Sequence, residues 1–288
     1  MAETHKLRTT DILPKSEAFK QLNSQAEELA KTCPSASLPG LDHLRMADYD
    51  LVYEPSDDTY LMIDALNWDF NHCSNGSNGS NDHDSNDHDQ NEDDLLPRAR
   101  DIRTTLEIGC GTGVSTIFLA KLLESKNHDH QVSCRHIVTD INQHAIRITK
   151  QTALHNQMNE ETLDCYECDL ATPLLPEHQK KVDVIIFNPP YVPTPNEEVG
   201  TVDIEASWAG GTDGRLVIDK ALPQIASLLA KPNGVAYMIT VDDNKPEEIA
   251  SFMLDEYGIV VQPFLRRRAR NEFLSVLKME HLRKEYKI

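Results

Sequence analysis

Positive charge is scarce in this chain. Against 47 Asp and Glu residues stand 28 Lys and Arg, a formal charge of −19 over 288 residues. A polyanion gains nothing from the counterion release that drives non-specific nucleic-acid binding, so a nucleic-acid partner is disfavoured. Long apolar runs are missing as well. No stretch approaches the roughly 20 residues a membrane helix needs, so a membrane-spanning helix is not expected. The segment from Met1 to Asp11 is polar and lacks the apolar centre of a secretory signal. Cysteine is sparse, with six in the chain, too few for a disulfide scaffold. A reduced intracellular setting, cytoplasmic or nuclear, is the expectation. No metal site is expected either. Cys165-x-x-Cys168 has no second pair at ligand spacing, and strand residues i and i+3 point to opposite faces.

Two segments stand apart from the rest. Residues 1–37 read as an N-terminal extension, with a helix over Ser16–Thr32 whose Ala18, Phe19, Leu22, Ala26, Leu29 and Ala30 share one side. Pro34-Ser35-Ala36-Ser37 ends it, and a surface appendage is the expectation. Residues 71–94 (NHCSNGSNGSNDHDSNDHDQNEDD) hold almost nothing apolar, so no core offsets the entropy of ordering them. Seven of the nineteen net negative charges lie there. The tract reads as a solvated insert in a domain spanning 38–288. Asn75 and Asn78 match the glycosylation pattern, but the pattern has no meaning without secretion. His72, His83 and His88 lack the preformed geometry a metal ion needs.

Elsewhere strand-like and helix-like segments alternate. Strands are expected over 104–108, 135–139, 163–168, 182–187, 234–240, 259–265 and 272–277. Helices are expected over 114–123, 142–156, 215–230 and 246–257. Val182–Phe187 is a continuous apolar run, as in a strand buried on both faces. The pattern predicts an α/β fold, a mostly parallel sheet with helices on both faces. The last two strands have no helix between them, which predicts an antiparallel hairpin at one edge. Arg266, Arg267, Arg268 and Arg270 form the one basic cluster and read as a solvated turn before the last strand, ahead of a contact for an acidic partner or ribosomal RNA.

The first strand runs into Leu106-Glu107-Ile108-Gly109-Cys110-Gly111-Thr112-Gly113. The glycines let the chain turn sharply and let a ligand approach the backbone. The spacing is G-x-G-x-G rather than the dinucleotide G-x-G-x-x-G, and Glu107 would repel a pyrophosphate, so an oxidoreductase is excluded. That acid suits a cationic ligand. The second strand ends in Thr139-Asp140-Ile141-Asn142, where an acid can accept both hydroxyls of a ribose, although Asp140 alone could equally cap a helix. The third ends in Cys168-Asp169-Leu170, an acid and an apolar residue suited to an adenine's amino group and face. Adenine, ribose and a positive centre without phosphate describe S-adenosylmethionine.

The chemistry is placed at Asn188-Pro189-Pro190-Tyr191, which ends the buried strand. Two prolines cannot continue a central strand, so the chain leaves the sheet there, outside the strand carboxyl ends where ligands bind. A planar –NH₂ group could donate to the Asn188 side-chain oxygen and to the Pro189 carbonyl, with Tyr191 stacked on it. Both acceptors strengthen as nitrogen gains positive charge during methyl transfer. No dedicated general base is needed if the proton leaves after transfer.

Four blocks together resemble a known family: VYEPSDDT at 52–59, LEIGCGTG at 106–113, TDIN at 139–142, and FNPPYVPTPNEEVG at 187–200 with WAGGTDGR at 208–215. They resemble class I methyltransferases acting on planar amino or amide nitrogens, and more closely the eukaryotic and archaeal branch of the HemK family of protein-glutamine methyltransferases. The resemblance spans roughly residues 49–279. It implies a Rossmann-like seven-stranded sheet and S-adenosylmethionine held by residues matching Thr59, Glu107, Gly109, Asp140, Asp169, Leu170 and Asn188, with Gly111 and Ile141 beside them. It implies that Asn188, Pro189, Pro190 and Tyr191 form the catalytic loop, with Asn188, Pro189 and Tyr191 on the substrate. The implied substrate is the glutamine of Gly-Gly-Gln in a class I translation termination factor, methylated at N5. The implied partner is a small zinc-binding activator subunit that adds to the open sheet edge at 163–168.

Three rival functions share parts of this pattern. An adenine-N6 DNA methyltransferase also faces a planar amino group, but the acidic charge and the lack of a DNA-recognition domain count against it. A lysine methyltransferase would need a deprotonated amine rather than the Asn and Pro acceptors. A non-catalytic cofactor-binding scaffold would not need Glu107, Asp140 and Asn188 all intact.

Overall fold

Seven strands form one sheet in the order β3-β2-β1-β4-β5-β7-β6. They are β1 (Thr104–Ile108), β2 (Arg135–Asp140), β3 (Leu163–Glu167), β4 (Val184–Phe187), β5 (Val235–Val241), β6 (Ile259–Ala269) and β7 (Glu272–His281). The computed structural model describes residues 16–72, 102–126, 133–175, 177–199, 207–270 and 272–282. Strands β1 to β5 pair in parallel, and β7 runs antiparallel between β5 and β6. The α/β class and the antiparallel C-terminal hairpin expected from the sequence are both present. The order reverses at β1, between β2 and β4, which opens a crevice at the strand carboxyl ends.

Strand alternation sorts the core into two layers. Ile185 and Phe187 face one side with α6 (Leu216–Leu228) and α7 (Pro246–Tyr257), while Val184 and Ile186 face the other with α3 (Asp57–His72) and α4 (Val114–Lys126). Helix α5 (Gln143–His155) packs against β2 and β3, and α2 (Met46–Tyr49) is a single turn. Among the described residues no helix is long and apolar enough to cross a membrane.

Three expectations change. Helix α3 was not foreseen. Its first helical hydrogen bond runs from the Tyr60 N–H to the Ser56 carbonyl (2.9 Å), and Leu61 to Leu66 are all fully buried, Asp64 included. Nor is the extension a loose appendage. Helix α1 (Ser16–Thr32) packs along β6, placing Phe19 in the α6/α7 layer and Ala30 in the α3/α4 layer. Finally, the arginine cluster is not a solvated turn. Arg266 is buried within β6 and takes both Asp242 oxygens (2.6 and 2.8 Å) and Glu27 of α1 (2.9 Å). Arg267 reaches the buried Asp64 (3.0 Å), and only Arg268 and Arg270 are exposed. The acidic tract lies outside the described residues except for Asn71 and His72, the last two of α3.

Candidate active site

The glycine loop after β1 is tied to the end of β2. The Gly109 and Cys110 N–H groups donate to the Thr139 carbonyl (2.8 and 3.0 Å). The Gly111 N–H donates to Asp140 Oδ2 (3.0 Å), and the Asn142 N–H donates to Asp140 Oδ1 (2.9 Å). Asp140 therefore braces the loop. The cap of α5 is Asn142, whose side chain accepts from the His144 N–H (2.9 Å). Gly109 and Gly111 have φ of +70° and +52°, and a Cβ added to either would meet no atom of the described residues within 4 Å. Those positions front a cavity where a side chain would stand in a ligand's place.

Glu107 lies on the α4 side of β1. Its Oε2 accepts from the Thr116 N–H (3.0 Å) and hydroxyl (2.5 Å). Burial pushes its carboxyl up to about 7, against those hydrogen bonds, which favour the charged form. A cation would relieve that penalty. Burial likewise raises the Asp140 carboxyl. At the end of β3, Leu170 adopts φ of +53° and is nearly buried, while Asp169 is exposed and ion-paired through Oδ2 with Lys220.

One cavity gathers Thr59, Glu107, Gly109, Gly111, Asp140, Ile141, Asp169, Leu170, Asn188 and Pro190. Pro189, which is buried, and Tyr191, which is half-buried, are not among the residues that line it. The Asn188 Nδ2 donates to Asp58 Oδ2 (3.2 Å), and the Tyr191 hydroxyl donates to the same oxygen (3.3 Å). The other side of the Asn188 amide, Oδ1, is buried with no hydrogen-bond partner among the described residues. A buried acceptor left unmatched costs about 1–3 kcal/mol, so it marks a place where a donor is missing.

The block at 208–215 acts as a brace for this loop. Val192 exchanges hydrogen bonds with it, its N–H to the Trp208 carbonyl (3.0 Å) and its carbonyl from the Gly210 N–H (2.9 Å). A Cβ at Gly214 would come within 1.9 Å of the Tyr191 carbonyl oxygen. The buried Asn244, after β5, donates from Nδ2 to that same carbonyl (2.8 Å) and to the Asp213 carbonyl (2.9 Å). Sequence reading missed Asn244 and Asp58. Asn244 stands alone after a strand and carries no local signal. Asp58 sits within the 52–59 block, where its neighbour Thr59 was singled out instead.

The methyltransferase small domain model matches residues 93–209. Mouse methyltransferase HEMK2 is 35% identical over 85% of this chain and 97% of its own length. The eRF1 methyltransferase catalytic subunit mtq2 of Schizosaccharomyces pombe is 34% identical over 84% of this chain and 95% of its own. The chain belongs to the HemK family of protein-glutamine methyltransferases. A more distant member, the release factor glutamine methyltransferase of Bacillus anthracis, is 31% identical over 47% of this chain and 45% of that one. The family assignment accounts for the pairing of an acid-lined cavity with an Asn-Pro-Pro-Tyr loop at one crevice.

Proposed function

We propose that the chain methylates the side-chain amide of the glutamine in the Gly-Gly-Gln motif of a eukaryotic class I termination factor. It does so as the catalytic subunit of a heterodimer with a small zinc-binding activator, using S-adenosylmethionine. The observation that carries the reading is the unmatched Asn188 Oδ1 in a cavity that also holds Glu107 and Asp140.

The residues present fit the cofactor. The open faces of Gly109 and Gly111 leave room for it against the backbone. Glu107 would hold an ammonium group, Asp140 a ribose, and Asp169 with Leu170 an adenine, with Thr59 and Ile141 closing the cavity. Lys220 already engages one Asp169 oxygen, so an adenine amino group falls to the other. When bound, S-adenosylmethionine supplies an electrophilic methyl carbon whose bond to sulfur breaks with the electron pair staying on sulfur.

The chain's own contribution is positioning and charge stabilisation. Asn188 Oδ1 accepts one hydrogen of the substrate –NH₂, and the Pro189 carbonyl is the proposed second acceptor. As the new N–CH₃ bond forms, nitrogen becomes positive and both acceptors bind it more tightly. The nitrogen then releases one proton to water and the amide is neutral again. Removing such a partner typically costs roughly 3–4 kcal/mol in the barrier.

The name of the yeast relative, a catalytic subunit acting on eRF1, supports both substrate and partner. The test is transfer of labelled methyl to a class I termination factor and to its Gln→Ala variant, with and without the activator. Label on the unmodified factor alone supports the reading. Label on duplex DNA or a histone with none on the factor overturns it.

A further inference from the structure

We propose that Asp58 is a positioning residue that fixes which way round the Asn188 side-chain amide stands. The inference rests on the reading that Asn188 Oδ1 is the acceptor for the substrate amide. An amide presents an acceptor on one side and donors on the other, and the two orientations have nearly the same shape. Only the chemistry of the neighbour decides between them. Asp58 is a carboxylate, which accepts and does not donate. Its Oδ2 receives the Asn188 Nδ2 (3.2 Å) and the Tyr191 hydroxyl (3.3 Å). With Nδ2 committed there, Oδ1 is the atom left unmatched in the cavity wall. Reversing the amide would set two acceptors against each other at Asp58 and offer a donor to the substrate –NH₂.

The other Asp58 oxygen is also fixed. Oδ1 accepts from the Thr59 N–H (2.6 Å), the Thr59 hydroxyl (3.2 Å) and the Tyr53 hydroxyl (3.4 Å). The Thr59 N–H belongs to the first turn of α3 and cannot turn away. This makes Asp58→Asn informative. The new amide must keep its oxygen towards Thr59, so its NH₂ group lands against Asn188 and Tyr191. Asn188 then relieves the donor–donor clash by reversing, which removes the acceptor from the cavity. Asn188→Asp alone sets two carboxylates face to face. The double variant Asp58→Asn/Asn188→Asp restores a donor facing an acceptor and leaves a carboxylate oxygen for the substrate.

The test measures three things on the full chain with its activator. Thermal unfolding establishes that each variant folds. Titration of a Gly-Gly-Gln peptide against protein saturated with S-adenosylhomocysteine gives substrate affinity without turnover. Exchange of the Asn188 side-chain NH₂ protons, assigned by their loss in Asn188→Asp, reports the orientation directly. Each single variant should weaken peptide binding about ten-fold and slow methyl transfer about a hundred-fold. The double variant should recover most of both, an outcome that a general packing defect cannot produce. In Asp58→Asn the NH₂ protons should lose their protection. Wild-type peptide affinity in Asp58→Asn, unchanged NH₂ protection, or a double variant no better than the singles would each overturn the proposal. If the unmodified protein leaves the termination factor unlabelled, the functional reading falls, and the exchange measurement still decides the role of Asp58.

Discussion

Glu107 meets two opposed demands. Burial raises its carboxyl from 4.5 to about 7, so in the folded chain it holds its proton more tightly than in the unfolded one. Between those two values folding takes up a proton, and its contribution to stability falls as pH rises through that window. His136 has the opposite slope. Burial pushes its imidazole from 6.5 down to about 4, so the stability it contributes is present above 6.5 and is lost as pH falls towards 4. Glu107→Gln removes the first slope and leaves the second, so its thermal midpoint should fall more steeply than wild type on acidification from pH 6.5 to 4.5. A cationic ligand reverses the demand on Glu107, because only the charged form attracts it. Affinity for S-adenosylmethionine should rise roughly five-fold between pH 6 and pH 7, below the range where the ligand's own ammonium loses its proton, in the wild type and stay flat in Glu107→Gln. Calorimetric titration at the two pH values checks this, and parallel slopes would show that Glu107 does not meet the cation. Gly111 separates stability from binding in another way. A Cβ there meets no atom of the described residues, so Gly111→Ala should cost only the left-handed conformation, about 1 kcal/mol, while cofactor affinity is lost.

At the scale of elements, α1 tests what holds the extension to the domain. Phe19 is buried in the α6/α7 layer, and Arg266 ties Glu27 of α1 to Asp242 after β5. Truncating a buried Phe usually costs about 3–5 kcal/mol. Phe19→Ala should therefore lower the unfolding free energy by that much, read as a lower denaturant midpoint at unchanged slope, whereas a surface appendage would show no change. The sequence had α1 right as a helix and wrong as an appendage. Its apolar side was visible, but the faces of β6 that receive it come from more than 200 residues away, and local pattern carries no such pairing. Helix α3 was illegible for a different reason. It is buried on nearly every side from Leu61 to Leu66, so there is no polar stripe to set a period, and it runs directly into the acidic tract. The strand ends were legible because each carries its own punctuation: glycines after β1, Asp140 after β2, Asp169 after β3 and the two prolines after β4. The WAGG block was legible only as a motif, and the structure gives its reason. Gly214 and Asn244 pin the Tyr191 carbonyl, so Gly214→Ala, at φ of +66° and 1.9 Å from that oxygen, should displace the loop and abolish transfer. Cofactor titration would show whether the loss is confined to the substrate side.

Across the whole molecule the two sheet edges differ. The β6 edge is covered, because α1 packs along it and enters both core layers. The β3 edge pairs only with β2 and keeps no described strand on its outer side. Its residues are half-buried or exposed, and Tyr166 is 38% exposed. A bare strand edge with an aromatic on it is a site for another chain to extend the sheet, and proteins that leave one open usually cover it in their working assembly. We propose β3 as the seat of the activator, the edge that the family resemblance implies. Tyr166→Asp should abolish co-purification of the activator and lower the soluble yield, because the exposed strand then lacks its cover. Arg268→Glu, an exposed position on β6, should leave the heterodimer intact. The comparison separates edge pairing from a general effect of added negative charge, since both variants make the chain more acidic. A heterodimer that survives Tyr166→Asp but is lost in Arg268→Glu would move the partner to the opposite edge, over α1.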